Sequence, residues 1–449
     1  MPQASDHRPS RSTTVSPARR IVLPHLEAKA ARFPELFPIP LDVSALNERD
    51  ARLAITIDRD VTIRWTTLRA IIEPLLSQPW NRQHHAVIAA LLSGAAQLLL
   101  MDRIPDHAAI GESVGWSRTT GGRGASGVIN AVLRKVARMR VERLEKADPT
   151  QTNHLVLPDG SGWLLSSPVF AGEDASRIAM QSGGGRQLID RLIATDGLEE
   201  AERIAMHTLC HPPVILHGAG EHADLEPHQD AGFYVLRSGA SLTSVLETFP
   251  NAIVQDPTSA GACRSTTAIV PELIVDWCAG RGTKTRQLAY AHPGAKVLAS
   301  DASPLRRGAL AAMASRTPGV EACDPASVLS EYAGRVDLLL LDVPCSNSGV
   351  LARRAEARHR QNAATRARLV DLQRQIAADS LALLAPGGTL LWATCSIDPE
   401  ENEKQVEWLT KWHPLEVCSI HRETGQGVPG DSPSMWRDGG FFAQLRRVE

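Results

Sequence analysis

The sequence predicts a multidomain chain: an all-α N-terminal module, a small α/β connector, and a C-terminal α/β domain with a mostly parallel sheet. Three observations carry this. The 449 residues exceed one ordinary core, since domains run to roughly 100–200 residues. Apolar residues recur at helical spacing between Leu46 and Lys146, and from Leu273 onward short apolar runs alternate with helical segments. The divisions fall at residues 1–44 for a partly disordered N-terminal extension, 45–146 for the helical module, 147–262 for the connector and 263–449 for the C-terminal domain.

Taking the elements in order, "MPQASDHRPSRSTTVSPARR" is rich in Arg, Ser and Pro and poor in acids, which fits a disordered basic tail or an organelle-targeting peptide. "HHAVIAALLSGAAQLLLM" reads as a helix, and "IPDHAAIGESVGW" opens another with Pro105 near its first turn. "GASGVINAVLRKVARMRVERL" reads as a third, with Val128, Ile129, Val132, Leu133 and Val136 at helical spacing. Its Arg134, Lys135, Arg138, Arg140 and Arg143 form either a solvated face or a contact to a phosphate backbone. In the connector, "DGSGW" is a turn, "SGGG" a break, and "RQLIDRLIATDG" and Leu198 to Leu209 are helical. "HPPVILHGAG", "GFYVLRSG" and "AIVQDPTSAGA" are strand-like runs bounded by Gly and Pro. In the last domain the strands are "LIVDWC", "AKVLAS", "VDLLLLDVP" and "GTLLWATCS". The helix "ATRARLVDLQRQIAADSLALL" carries Leu369, Leu372, Ile376 and Leu383 on one face. Such alternation implies parallel strands with helices on both faces, while "PLEVCSI" and "GGFFAQLRR" form an antiparallel pair closing one edge.

Composition narrows the function. With 43% hydrophobic and 22% charged residues and a net charge of -2, the chain is of globular type and lacks the overall basic field of many nucleic-acid binders, so any RNA-binding surface is local. Seven cysteines without a metal-type CxxC pair argue against a disulfide framework or a metal site and for a reducing compartment. The longest apolar run, His85 to Met101, is short for a membrane span and interrupted by Ser93, Gly94 and Gln97. A cytoplasmic protein without membrane or metal is expected, and a monomer.

Ligands of open α/β sheets bind outside the carboxyl ends of the strands. Four features lie there. "DWCAGRGTKT" is a strand, a Gly-containing turn and a helix start, which bring backbone N–H groups to a ligand. Asp301 ends the next strand, where it can accept ribose hydroxyls or simply cap the following helix. In "LLLLDVPCSNSGV", Asp342 and Cys345 sit where a buried strand emerges, and a carboxylate there needs a partner. In "LLWATCSIDPEENE", Asp398, Pro399 and Glu401 read as a helix start with an Asp-x-x-Glu capping pattern, which leaves Cys395 as either a small core residue or a reactive thiol. Two strand-end thiols beside an acid suit addition of a thiolate to an electron-poor ring, with the acid at a ring nitrogen and the second thiol aiding the final elimination.

At these residues the chain resembles the RsmB (Sun) type of 16S rRNA cytosine-C5 methyltransferase. "DWCAGRGTKT" is similar to the family's D-x-C-A-A-P-G-G-K-T, "DVPCSNSGVLARR" to D-A-P-C-S-x-T-G-V-x-R-R, "ATCSIDPEENE" to T-C-S-x-x-P-E-E-N-E, and "DGGFFAQLRR" to D-G-F-F-x-A-x-L. "AQLLLMDRIPDHAAIGESV" and "INAVLRKV" resemble the family's NusB-like helical domain, and "IVQDPTSAGA" its V-Q-D-x-S-A-Q. The resemblance implies a Rossmann-like domain that uses S-adenosyl-L-methionine to methylate C5 of a cytosine in small-subunit rRNA. It makes Cys395 the nucleophile at C6, Cys345 the aid to release, and Asp342 the holder of the N3 edge. Cofactor contacts are implied for Cys278, Ala279, Gly280, Arg281, Gly282, Thr283 and Lys284, with Asp342 beside them, Asp301 on the ribose and Asp324 near the adenine. RNA contacts are implied for Arg134, Lys135, Arg138, Arg353, Arg354 and Arg358, with Arg360 in the same run. The sequence departs from the family in three places: Arg281 and Thr283 replace Pro and Gly, "RRAEARHR" lacks a Pro-Asp, and His217 stands where an arginine is common. The alternative these departures suggest is an rRNA-binding assembly factor with impaired methyl transfer.

Overall fold

A computed structural model describes residues 15–120 and 124–448. The chain forms two compact units divided between Asp190 and Arg191.

The first unit is mainly helical: α1 (Pro17–Ala30), α2 (Glu48–Ile63), α3 (Trp65–Ile72), α4 (His85–Leu100), α5 (Asp106–Thr120) and α6 (Ala125–Met139). Every residue of α4 from Ala86 to Leu99 is buried, which is why this helix is apolar all round. A small sheet follows, with β1 (Arg140–Leu144), β2 (His154–Val156) and β3 (Gly162–Leu165) in the order β1-β3-β2, and then α7 (Asp174–Ser182).

Two expectations change in this unit. Part of the expected N-terminal extension is ordered, because α1 buries Ala18, Val22, Leu23 and Leu26 in the helical core; residues 1–14 lie outside the described residues. Arg19, seemingly part of a basic tail, is buried, bonded to Gln97 and paired with Glu112 at 2.9 Å. The third helix also stops at Met139, and "RVERL" becomes β1, whose Arg140 and Arg143 pair with Asp106 at 2.6 Å and Asp102 at 3.2 Å.

The segment expected as one connector is divided between the units, with the boundary inside α8 (Arg186–Asp196). The second unit continues with α9 (Leu198–His207), β4 (Ile215–His217), β5 (Leu225–Pro227), β6 (Phe233–Leu236), α10 (Leu242–Thr248), β7 (Ile253–Val254) and α11 (Pro257–Arg264). These four strands make an antiparallel sheet ordered β5-β6-β4-β7.

Its main sheet comprises β8 (Leu273–Asp276), β9 (Lys296–Ser300), β10 (Val320–Cys323), β11 (Val336–Asp342), β12 (Leu384–Thr394), β13 (Leu415–Gln426) and β14 (Arg437–Arg447), in the order β10-β9-β8-β11-β12-β14-β13. The first five in that order are parallel, and β14 and β13 close the edge antiparallel, as the tail predicts. Leu339 and Leu341 of β11 enter one core while Leu338 and Leu340 enter another, so both faces are covered and the strand is continuously apolar. The intervening helices are α12 (Thr283–Ala291), α13 (Pro304–Ala314), α14 (Pro325–Tyr332), α15 (Ala363–Ser380) and α16 (Glu403–Trp412). On α15 the buried face is Gln373, Ala377 and Ser380, whereas Leu372 of the expected apolar stripe is exposed. Gln373 faces inward because it donates to the Pro344 carbonyl and to Glu401, while Ile376 and Leu383 of the expected stripe do meet the core.

Candidate active site

From β8 the chain winds one way to β9 and β10 and then returns to place β11 on the other side of β8, so the switch point lies between β8 and β11. A cavity of about 490 Å³ opens at their carboxyl ends, lined by the loop Cys278–Arg281, Thr283 and Lys284, by Asp342, and by Asn347 and Cys395. The loop turns through left-handed glycines, Gly280 at φ 59° and Gly282 at φ 83°. A Cβ on Gly282 would lie 2.3 Å from the end of the Met313 side chain, which would have to shift, and the left-handed φ would strain any larger residue. Around Gly280 the nearest such neighbour is the Cys278 carbonyl at 4.0 Å, and the backbone stands open to the cavity. Beneath the loop, Asp276 is fully buried and accepts from Thr285 Oγ1 at 2.6 Å; burial pushes its carboxyl up to about 7.

Lys284 reaches from the first turn of α12 to Asp342 at the end of β11, with Nζ 2.8 Å from Oδ2. Burial works to lower its pKa, but the charge and hydrogen bond of Asp342 outweigh that and raise it, with Cys395 close enough to add to the effect. The group is therefore a fixed cation beside Cys395.

Because β11 and β12 are parallel neighbours with Asp342 opposite Ala393, the residues just past their ends emerge on one rim. There Cys345 Sγ and Cys395 Sγ lie 3.2 Å apart. The bond to Cys395, followed by burial, raises the Cys345 pKa well above the usual thiol range, so Cys345 keeps its proton and can donate it toward Cys395. Asn347 sits at φ 60°, unusual for a residue other than glycine. Its Nδ2 donates to the Cys345 carbonyl at 3.1 Å and its Oδ1 lies 3.3 Å from Cys395 Sγ. Gly349 and Gly439 approach so closely that a Cβ on Gly349 would lie 2.5 Å from Gly439.

The structure brings together Cys278 to Lys284, Asp342, Cys345 and Cys395. It does not bring Asp301 or Asp324 to the cavity wall. Asp301 is buried and bonded to the Gly280 and Ser303 N–H groups at 3.1 and 2.8 Å, so it shapes the loop from behind. Asp324 caps α14 and pairs with Arg307 at 3.2 Å. Among the expected RNA contacts, Arg134, Lys135 and Arg138 are exposed on α6, and Arg354 is exposed on the cavity wall. Arg353 also lines the cavity but is tied to Asp438 at 2.6 Å. Arg358 is a correction: it is buried, and it donates to the Thr208 and Leu351 carbonyls at 2.9 and 3.2 Å, because the chain after Arg354 folds inward as a short 3-10 turn.

The capping reading of "DPEE" is also corrected. Asp398 Oδ1 does accept from Glu400 N at 3.0 Å, but the helix begins only at Glu403, and Asp398 N donates to Ser396 Oγ rather than to Glu401. Glu401 turns inward to the serines that follow the two cysteines. The Cys-Ser pair at both strand ends was the available signal. Asp256 and Asp438 were missed as well: Asp256 Oδ2 accepts from Asp438 N at 3.0 Å, and burial, with the charge of Asp438, pushes Asp256 up to about 7.

Among the described residues no helix is long and apolar enough to cross a membrane, and no group of three or more His, Cys, Asp or Glu is placed to hold a metal.

Comparison with known proteins adds an independent line. Residues 269–444 match the family described as 16S rRNA methyltransferase RsmB/F, and residues 27–138 match the NusB family. The ribosomal RNA small subunit methyltransferase B of Pasteurella multocida is 30% identical, over 85% of this chain and 84% of its own length. That of Vibrio cholerae is 29% identical, over 91% and 92%. In fold, the chain resembles the crystal structure titled PH0851, with a TM-score of 0.68, 19% identity, and coverage of 96% of this chain and 99% of that one.

Proposed function

Since the chain belongs to the RsmB family of 16S rRNA methyltransferases, we propose that it methylates C5 of a cytosine in small-subunit rRNA through a covalent bond between Cys395 and C6. The observation that carries the reading is the meeting of two thiols at 3.2 Å, with Cys395 on the wall of a cavity that also holds the Lys284–Asp342 pair.

S-adenosyl-L-methionine supplies an electrophilic methyl group when bound. The open backbone of the β8–α12 loop at Gly280, beside a cavity of about 490 Å³, fits a nucleoside-type ligand. Cys278 to Lys284 would hold it, with Asp301 fixing the loop through Gly280. The remaining chemistry belongs to side chains. Cys395 adds to C6 of the ring, next to the positive charge of Lys284, and the ring becomes nucleophilic at C5. The proton that Cys395 gives up passes by way of the Asp342 carboxylate to N3 as the sulfur bonds to C6, so the ring stays neutral while Asp342 holds its N3 edge. Release requires loss of the C5 proton and breakage of the S–C6 bond. Cys345 serves both events: its S–H gives its proton to the departing sulfur 3.2 Å away, and the Cys345 thiolate so formed takes the C5 proton. Exposed Arg354 and Arg281 at the cavity, and Arg134, Lys135 and Arg138 on α6, supply phosphate contacts. This work would be done in the cytoplasm, where small subunits are assembled.

Transfer of label from S-adenosyl-L-methionine to undermodified small-subunit rRNA tests the reading. Cys395→Ala abolishes transfer, while Cys345→Ala accumulates a covalent protein–RNA adduct. Full activity in Cys395→Ala would sink the mechanism. Absence of cofactor binding by calorimetry would favour the assembly-factor alternative suggested by Arg281 and Thr283.

A further inference from the structure

The two cysteines belong to turns fifty positions apart in sequence, and strand pairing alone aligns only their backbones. Something must hold the turns themselves. Cys345 and Cys395 are each followed by a serine, and both serines bond the same carboxylate. Glu401 Oε1 accepts from Ser346 N at 2.9 Å and from Gln373 Nε2 at 3.1 Å. Its Oε2 accepts from Ser346 Oγ and, at 2.6 Å, from Ser396 Oγ. The same Gln373 amide donates to the Pro344 carbonyl at 2.9 Å, which fixes the residue before Cys345. Ser348 completes the weave, 2.9 Å from Ser396 Oγ and accepting from Ile397 N at 3.0 Å.

We propose that Glu401 is a positioning residue that pins both thiol-bearing turns with one buried carboxylate and thereby sets the Cys345–Cys395 separation. Four donors converge on a side chain with no solvent exposure, an arrangement that is costly to break and tolerates little displacement. Its charge also falls on the thiol pair, where it adds to the factors that keep Cys345 protonated. The carboxylate touches neither thiol. It acts through Ser346 and Ser396, and its effect is geometric: the S–H of Cys345 is kept aimed at Cys395 through the reaction. The inference rests on the assignment of Cys395 and Cys345 to addition and release, but its test does not.

The test reads thiol pairing in the RNA-free full chain. Diamide takes two protons and two electrons from two thiols, forming one disulfide and a hydrazine, and the rate depends on whether the sulfurs can reach bonding geometry, near 2.05 Å. Mass spectrometry locates the bridge. In the native chain the Cys345–Cys395 disulfide forms fast. In Glu401→Gln, which keeps the volume but removes one acceptor oxygen, it forms slower by about tenfold or more, the scale of loss expected from small misplacement of reacting groups. Ser346→Ala with Ser396→Ala, which leaves the carboxylate intact, slows it comparably. If Glu401→Gln fails to fold, the serine pair decides. With rRNA, the folded variants raise the ratio of covalent adduct to released product, as Cys345→Ala does. Disulfide rates within about twofold of native in every folded variant would overturn the proposal. Because pairing is read without methyl transfer, an inactive native chain would count against the function and not against the clamp.

Discussion

The β8–α12 loop and the thiol rim of β11 and β12 face one cavity, yet they are built in opposite ways. At the rim, two thiols are held by buried side chains: Glu401, Gln373, Ser346 and Ser396 form a closed network behind the cysteines. In the loop, backbone faces the cavity, and Arg281 and Thr283 are exposed. A site that works through a sulfur atom requires that atom to be placed within a fraction of an ångström, which a packed polar network provides. One that works through N–H groups requires φ angles, which Gly280 and Gly282 supply whatever their neighbours carry.

The largest effect that would break this contrast is at the rim. Cys395→Ala should lower methyl transfer by on the order of 10⁴-fold or more, measured as labelled methyl in rRNA under single turnover. A smaller loss would mean that the rim is less specialised than its burial suggests. Lys284→Met comes next, since it joins the two regions: removing the cation beside Cys395 and Asp342 should cost about 10²–10³ in single-turnover rate at saturating cofactor. The third concerns the buried acid beneath the loop. Asp276 has its carboxyl raised from 3.8 to about 7, so the folded state holds an extra proton between those values. Stability is then greatest at low pH and declines as pH rises toward 7, by up to about 1.4 kcal/mol per pH unit from this group. Urea melts across that range should show the decline in the native chain and a flatter profile in Asp276→Asn. The smallest effect is expected in the loop itself. Restoring Thr283→Gly should alter cofactor affinity by no more than about threefold, because the side chain is exposed and its N–H stays in place. A larger gain would place side chains, rather than backbone, in control of the loop.

Much of this was legible in the chain itself. The alternation of "LIVDWC", "AKVLAS", "VDLLLLDVP" and "GTLLWATCS" with helices marked the strands correctly, because a strand covered on both faces has to be continuously apolar. The antiparallel closing pair was legible for a similar reason. Less legible was α1, whose Arg19 looks solvent-bound in sequence but is buried because Gln97 and Glu112, remote in the chain, receive it. The stripe on α15 misled in part in the same way: Gln373 faces inward because it has a carboxylate and a carbonyl to satisfy, while Leu372 is exposed.

The sequence by itself determined four of the parallel strands of the second unit and its antiparallel closing pair, the turns that need glycine, and which residues stand at those strand ends. These follow from local periodicity and from backbone sterics that act over a few residues. Only the tertiary structure decided that Cys345 and Cys395 lie 3.2 Å apart, that Asp301 supports the loop from behind, that Arg358 faces inward, and that Glu401 serves two serines rather than a helix cap. Each of those depends on partners supplied by other segments. A polar side chain leaves water only where such partners await it, and no local pattern encodes where they are.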